Sequence, residues 1–232
     1  AVLEGVAGGE PFDFDGEFFQ FQRALIKPAP NPAIPILIGG RVDASLERAA
    51  RFGDGWLAVW VSPERFERAT AQVDARAIEL GRPKPTSHGL QLWAGVGNDK
   101  DVARARLADA MQKFYHVPFE RFEKYSPFGT AAEIADFLAR YRDKGCELFN
   151  VMPIAETEAE GIDAVAEIRA RLGDGGSREA TARAVIYITM SHAGADERRF
   201  VVVERIRAER GDTLPLDVFK QMLREQFFAL LI

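Results

Sequence analysis

The chain has 232 residues, of which 47% are hydrophobic and 28% are charged, and its formal net charge is −5. This composition can build a globular core, and the net negative charge argues against nucleic acid as a partner. No apolar run approaches the roughly 18 residues of a membrane span, so we expect no membrane association. The single cysteine, Cys146, excludes an internal disulfide framework and a cysteine-based zinc site, which favours a cytoplasmic location.

The two ends of the chain both look cut. The sequence opens on Ala1 rather than Met, with no basic segment followed by an apolar one. At the other end, Phe227–Ile232 stops inside an apolar helical pattern without a capping residue. We therefore expect a fragment of a longer protein.

Residues 1–32 have the pattern of extended chain, comprising a hairpin and a proline-rich connector. Phe12 and Phe14 alternate with aspartates, and Asp15-Gly16 is a favoured two-residue hairpin turn. Residues 27–32 contain three prolines, which forbid a helix and favour a stiff connector. We predict a return strand that contains Phe18, Phe19 and Phe21.

A regular alternation of strand and helix patterns fills residues 33–173. Short apolar runs are typical of buried parallel strands, and the intervening segments have helix start and stop signals. We predict strands over residues 34–38, 56–61, 90–96 and 148–152, and helices over 43–52, 63–80, 98–115, 130–144 and 158–172. Four such units are half of a (β/α)8 barrel, which needs about 250 residues. A small open doubly wound sheet is the other possibility.

The pattern changes after residue 173. Asp174–Ser177 is rich in glycine and is predicted to be a linker. Residues 178–232 then read as a helical tail, with helices over 178–192, 195–210 and 215–231 and no strand between them. The predicted fold class is therefore α/β, a partial barrel of four βα units with an all-α appendage.

Gly39, Gly40 and Arg41 lie where the first of these strands ends and its helix begins. Backbone N–H groups approach an anion closely where Cβ atoms are absent, a helix start adds partial positive charge, and Arg41 can pair with phosphate oxygens. The alternative is a tight turn with a solvated arginine. The three residues are our candidates for a phosphate-binding site.

Two further residues are candidates for a substrate pocket. Trp60 lies near the carboxyl end of the second predicted strand, where it either lines a pocket or packs on the next helix. Asn150 is a polar residue in an apolar strand, where it either faces a polar interior or bonds to a neighbouring backbone group. No histidine has a partner at metal-ligand spacing, so we expect no metal site.

The segments around these candidates resemble the luciferase-like monooxygenase family over about residues 10–172. The order and spacing of the matching pieces agree with the family throughout. They are Gly16–Phe19, Pro28, Pro32, Ile34–Arg41, Leu46–Leu57, Ser62–Glu64, Gly129–Ile134, Gly145 and Phe149–Val151. The resemblance implies a (β/α)8 barrel that binds FMN or a deazaflavin and oxidises or oxygenates a small-molecule substrate.

The matching pieces correspond to the second half of that barrel, strands five to eight. The family's usual catalytic residues lie in the other half, so only the phosphate end of the cofactor site, Gly39, Gly40 and Arg41, is carried over by the resemblance. We therefore expect weak or absent catalysis by this chain alone. Because a half-barrel exposes sheet edges and an apolar face, we also expect a homo-oligomer.

The helical tail has a weaker resemblance of its own. Ala195–Phe200 and Leu214–Phe228 look like the helical C-terminal region of poly(3-hydroxyalkanoate) synthetase-like proteins. Three functions are therefore open: a flavin- or deazaflavin-dependent oxidoreductase, a non-catalytic scaffold whose tail binds a partner, and a phosphate-binding lyase or isomerase. Flavin binding separates the first from the other two.

Overall fold

The computed structural model describes residues 2–25, 29, 35–173 and the strand at 185–188. These residues divide into two compact units, one ending at Ile36 and one beginning at Leu37. Among the described helices, none is long and apolar enough to cross a lipid bilayer.

The N-terminal unit contains a short helix α1 (Val2–Ala7) and an antiparallel hairpin of β1 (Phe12–Asp15) and β2 (Gln20–Ala24). The predicted hairpin is confirmed, although its loop is longer than the predicted two residues, because Asp15 pairs with Gln20. Phe18 and Phe19 are therefore exposed in the loop rather than part of the return strand. Helix α1 corrects the prediction that this whole region is extended.

The second unit is built on a parallel sheet. Its strands are β3 (Leu37–Gly39), β4 (Gly55–Val59), β5 (Gly89–Val96), β6 (Phe128–Gly129), β7 (Leu148–Ile154) and β8 (Val185–Ile188). The main path runs β3-β4-β5-β7-β8, and the short β6 pairs with the carboxyl end of β5. All neighbouring strands are parallel, which confirms the predicted α/β class with a parallel sheet.

Five helices connect these strands. They are α2 (Asp43–Phe52), α3 (Pro63–Glu79), α4 (Lys100–Tyr115), α5 (Ala131–Arg142) and α6 (Glu158–Gly173). Two single-turn 3-10 helices, Phe119–Arg121 and Glu123–Tyr125, lie between α4 and β6. All five helices predicted within residues 33–173 are present, and each agrees with its predicted range to within about two residues.

The two faces of the sheet carry separate cores. Leu92 and Val151, neighbours in register, belong to the larger core together with buried residues of α2, α3, α5 and α6. Trp93 and Met152, the next pair along, point to the opposite face because side chains alternate along a strand. There they pack with residues of α4 and the first 3-10 helix. Helix α4 therefore covers one face of the sheet, and α2, α3, α5 and α6 cover the opposite face.

Two sequence-based predictions are wrong in detail. Within the helix predicted over 178–192, Val185–Ile188 instead form β8, which extends the parallel sheet beside β7. The strand β6 has no counterpart in the prediction, since two residues are too few to form a hydrophobic pattern. Residues 174–184 and 189–232 lie outside the described residues, so the linker and the remainder of the helical tail stay predictions.

Candidate functional site

The predicted glycine turn joins the carboxyl end of β3 to the start of α2. Gly40 has a φ of +129°, a backbone conformation that L side chains rarely adopt. A Cβ built on Gly40 would also lie only 2.7 Å from the Cβ of Ser45 on α2. Glycine is therefore required at position 40 both for the backbone path and for the close approach of the helix.

The N-terminus of α2 differs from those of the helices that follow it. Its N-cap residue is Val42, which has no side-chain oxygen and makes no capping hydrogen bond. Helices α3 to α6 each receive a side-chain cap, from Ser62, Asp99, Thr130 and Thr157 respectively. The first turn of α2 therefore has no side-chain cap, although Ser45 N–H donates to Val42 O over 2.8 Å and Asp43 adds a negative charge to this turn.

Two carbonyl groups of the same turn are held by side chains from neighbouring elements. The indole Nε1 of Trp56 on β4 donates a hydrogen bond to Gly40 O over 2.7 Å. A guanidinium nitrogen of Arg65 on α3 donates to Arg41 O over 2.8 Å. Trp56 is fully buried, and its bond to the turn could not be predicted from the sequence.

Arg41 is exposed beside the turn, and its guanidinium carbon lies 6.0 Å from the ring centroid of Trp60. This distance is at the outer limit of a cation–π contact. The structure thus brings two of the sequence-predicted site residues together, at the carboxyl ends of the neighbouring strands β3 and β4. The side chain of Arg41 remains accessible to an anionic ligand at this position.

Trp60 follows β4 and has an unusual backbone conformation. Its φ is +50°, which is uncommon for a bulky residue and strains the backbone. The indole ring contacts Tyr115 at 4.9 Å and Phe122 at 4.4 Å between ring centroids. Its Nε1–H is buried and has no hydrogen-bond partner within the described part of the chain. Trp60 therefore packs on other rings, while its polar atom is left for a further acceptor.

Tyr115, at the end of α4, connects Trp60 to the core of the second sheet face. Its hydroxyl accepts a hydrogen bond from Trp93 Nε1 over 3.0 Å. Burial raises the pKa of Tyr115 above its ordinary value, and the Trp93 donor opposes part of that rise. The phenol therefore stays protonated near neutral pH and can serve as a hydrogen-bond donor. The sequence analysis missed this residue, since a tyrosine at a helix end has no distinctive spacing.

Asn150 lies near the middle of β7, on the sheet face that carries Trp93. Its register neighbour on β5 is Gln91, whose amide nitrogen contacts the sulfur of Met152 at 3.8 Å. The Oδ1 atom of Asn150 is buried without a hydrogen-bond partner among the described residues. The side-chain amides of Gln91 and Asn150 thus lie next to each other on this face. Asn150 is not adjacent to the glycine turn after β3, because strands β4 and β5 lie between them.

A metal-binding cluster is not found within the residues that the structure describes. His88, buried before β5, contacts backbone and carboxylate groups rather than a second histidine. Cys146 is also buried, and the pKa of its thiol is raised by that burial, which disfavours the reactive thiolate. The candidate site is therefore built from backbone N–H groups, an arginine, aromatic rings and amides.

A parallel sheet with helices, and a candidate site at the carboxyl ends of its strands, define an α/β protein of the kind that binds ligands at that edge. A model of the family described as luciferase-like monooxygenase matches residues 1–207. The chain therefore belongs to the luciferase-like monooxygenase family. The match runs past the predicted linker at 174–177 and past β8.

Among curated proteins, an uncharacterised protein of Mycobacterium tuberculosis is 39% identical over 84 residues, which are 36% of this chain and 29% of that protein. The 5,10-methylenetetrahydromethanopterin reductase of Archaeoglobus fulgidus is 32% identical over 107 residues, 46% of this chain and 32% of the reductase. The matched regions thus span about a third of the length of these curated relatives.

Among solved structures, an F420-dependent secondary alcohol dehydrogenase in complex with an F420-acetone adduct has a TM-score of 0.59 at 18% identity. The superposition covers 73% of this chain and 58% of the dehydrogenase. At this identity the similarity establishes the fold, in agreement with the α/β architecture. The resemblance of the tail to poly(3-hydroxyalkanoate) synthetase-like proteins stays a prediction.

Proposed function

We propose that this chain is part of a flavin- or deazaflavin-dependent oxidoreductase, and that it binds FMN or the deazaflavin F420 through the phosphate group. The observation that carries the proposal is the Gly39-Gly40-Arg41 turn, which leads into a helix whose N-terminus has no side-chain cap. Family membership supports a flavin-type cofactor. The F420-bound dehydrogenase with the same fold supports the deazaflavin alternative.

The residues of the turn fit a phosphate monoester or diester. Gly39 leaves open space, since a Cβ there would meet only Leu57 O at 3.9 Å. In this proposal, backbone N–H groups at the start of α2 would donate hydrogen bonds to phosphate oxygens, and Arg41 would add a charge-assisted bond. When bound, the flavin or deazaflavin supplies the redox chemistry, accepting or donating two electrons.

Trp60 and Asn150 are proposed to line the pocket of a small-molecule substrate. The Nε1–H of Trp60, which has no acceptor within the described ranges, offers a donor to a substrate or cofactor oxygen, and the rings of Tyr115 and Phe122 exclude water beside it. Asn150, with its neighbour Gln91, offers amide groups deeper on the same sheet face. Catalytic residues are not assigned to this chain.

We further propose that the chain supplies the second half of a (β/α)8 barrel and is weakly active or inactive alone. The described sheet has one face only partly covered, with Val59, Gln91 and Asn150 half-buried on it. A second copy of the chain would cover this face and complete a barrel-like core. Light scattering at micromolar concentration tests this point, because a monomer would contradict it.

The test of the proposed function is a fluorescence titration with four ligands. These are FMN, F420 and their phosphate-free counterparts, riboflavin and the corresponding deazariboflavin. We expect saturable binding of FMN or F420 that exceeds binding of the phosphate-free form. In Arg41→Ala the preference for the phosphorylated form should fall about tenfold, as expected for a lost charge-assisted hydrogen bond.

The control variant is Arg171→Ala, since Arg171 is an exposed arginine paired with Glu167 within α6. Its affinities should equal those of the unmodified protein. Absence of binding to all four ligands would contradict the proposal and favour the scaffold alternative. Binding of a phosphorylated sugar or acid without any flavin would instead favour a lyase or isomerase.

A further inference from the structure

We propose that Trp56 is a positioning residue for the phosphate end of the site, because its indole N–H sets the orientation of the peptide group between Gly40 and Arg41. The inference rests on the proposed function, since it concerns the same glycine turn. Trp56 does not touch the ligand in this proposal. It acts through the hydrogen bond to Gly40 O.

The indole of Trp56 is held in place on several sides. The side chain is fully buried in the larger core, where its ring stacks on Phe66 with 5.9 Å between centroids. Its backbone N–H donates to Nδ1 of His88 over 3.1 Å. A residue restrained in both backbone and ring presents its Nε1–H in a fixed direction, and the 2.7 Å bond to Gly40 O is the result.

That bond determines where the next N–H group points. In a trans peptide group the C=O and the N–H lie in one plane and point in opposite directions. Because Gly40 O points toward the indole of Trp56, the N–H of Arg41 points away from the core. The outward direction is the side from which a phosphate would approach.

Glycine needs such an external restraint. The Gly40–Arg41 peptide group turns through ψ of Gly40 and φ of Arg41, and glycine, which already has a φ of +129° here, resists such rotation little because it has no Cβ. The second bond to the turn, from Arg65 to Arg41 O, restrains the following peptide group and comes from an exposed side chain. Trp56 is thus the buried restraint on the Gly40–Arg41 group.

Trp56→Phe is the most direct test, because phenylalanine retains an aromatic ring against Phe66 and removes the N–H. A second variant, with benzothienylalanine at position 56, keeps the two-ring shape of tryptophan and removes only the donor. It preserves the test should the phenylalanine variant fold poorly. Both variants leave Arg41 and the glycines unchanged.

The measurement is the ratio of FMN affinity to riboflavin affinity, and likewise for F420 and its phosphate-free form. We expect this ratio to fall several-fold, up to about tenfold, in both variants, as for the loss of one oriented hydrogen bond. Riboflavin affinity itself should change little. A purely structural role would lower stability and both affinities together, without changing the ratio.

Tyr141→Phe is the matched control. Tyr141 is buried in the same core, contacts Phe66, and donates its hydroxyl to Val61 O over 2.6 Å. Removing this hydroxyl also removes one buried hydrogen bond to a backbone carbonyl. Tyr141→Phe should therefore lower the melting temperature and leave the ratio of FMN to riboflavin affinity unchanged. An equal fall of the ratio in Tyr141→Phe would overturn the inference.

The outcomes separate this inference from the proposed function. An unmodified protein that binds neither phosphorylated cofactor, or does not prefer it to the phosphate-free form, would overturn the proposed function and the inference with it. A clear preference in the unmodified protein that survives intact in both position-56 variants would overturn the inference alone.

Discussion

The imidazole Nδ1 of His88 accepts a hydrogen bond from the backbone N–H of Trp56 over 3.1 Å. Since Nδ1 accepts, Nε2 carries the proton and donates a hydrogen bond to the carboxylate of Asp74 on α3 over 2.9 Å. One buried histidine thus connects the start of β4, the segment before β5 and helix α3. These contacts assign a structural role to this histidine.

His88→Leu should destabilise the protein, because the buried N–H of Trp56 loses its acceptor. An unsatisfied buried backbone group costs about 1–3 kcal/mol, so urea unfolding should show a loss of that size. Lys84→Ala is the control, since Lys84 is an exposed partner of the same Asp74 and such pairs contribute about 0–1 kcal/mol. A His88→Leu protein as stable as the control would contradict the assigned role.

The lowered pKa of Glu47 on α2 predicts a specific dependence of stability on pH. Hydrogen bonds from Arg76 on α3 and from Arg51 lower the pKa of Glu47 from 4.5 to about 2. A carboxyl with a lowered pKa stabilises the folded state above its unfolded pKa, and that contribution is lost as the pH falls toward the folded value. Between about pH 5 and pH 2, unfolding free energy should therefore fall less in Glu47→Gln than in the unmodified protein. Equal pH profiles would contradict this prediction.

Gly40→Ala and Gly39→Ala form an informative pair. Alanine at position 40 combines a strained φ with a Cβ 2.7 Å from the Ser45 Cβ, so we expect a loss of about 1–3 kcal/mol or more in chemical unfolding. Alanine at position 39 meets only Leu57 O at 3.9 Å and should leave stability unchanged. Weaker FMN or F420 binding in the stable Gly39→Ala variant would indicate that ligand approaches the backbone there; full binding would argue against such an approach.

Three substitutions at Trp60 distinguish the effect of its backbone conformation on stability from the effect of its ring on ligand binding. Glycine tolerates φ +50° and alanine does not, so Trp60→Gly should be more stable than Trp60→Ala by about 1 kcal/mol. Both should lose ligand affinity, since both lose the ring. Trp60→Phe keeps an aromatic ring and removes the unpaired N–H, so weaker binding in that variant would assign the N–H to the ligand. Unchanged affinity in all three variants would remove Trp60 from the site.

Asn150→Leu should stabilise the free protein and weaken ligand binding. The buried Oδ1 of Asn150 has no partner in the described part of the chain, and replacing such an atom by an apolar group of similar size removes its desolvation cost, about 1–3 kcal/mol. Thermal unfolding without ligand measures the stability, and titration with FMN and F420 measures whether ligand binding weakens. A destabilised variant would mean that the side chain has a structural partner instead.

Much of the second unit was predictable from local signals. Ser62 followed by Pro63 marked the start of α3, and its hydroxyl accepts from the N–H of Arg65 as a helix cap does. Thr130 and Glu133 form a capping box at the start of α5, where the sequence predicts that a helix begins. These signals act over three or four residues, so they are readable in any chain that contains them.

Other features depended on residues far apart in the sequence. Helix α4 packs on a different sheet face from the other helices, and Gly95 on β5 permits its close approach, because a Cβ there would lie 2.6 Å from Ala103 O. The short strand β6 forms only because the carboxyl end of β5 offers a free edge for pairing. Neither the face that a helix covers nor a two-residue strand is encoded in its own hydrophobic pattern.

The sequence by itself determined the alternation of strands and helices, the helix starts and the glycine turn before α2, because each depends on local backbone preferences and on the period of apolar residues. Only the tertiary structure decided that the indole of Trp56 bonds to Gly40, 16 residues away, and that Trp60 lies beside Arg41 with its N–H unpaired among the described residues. Such contacts follow from the register of neighbouring strands and the packing between them, which together fix where a side chain ends in space.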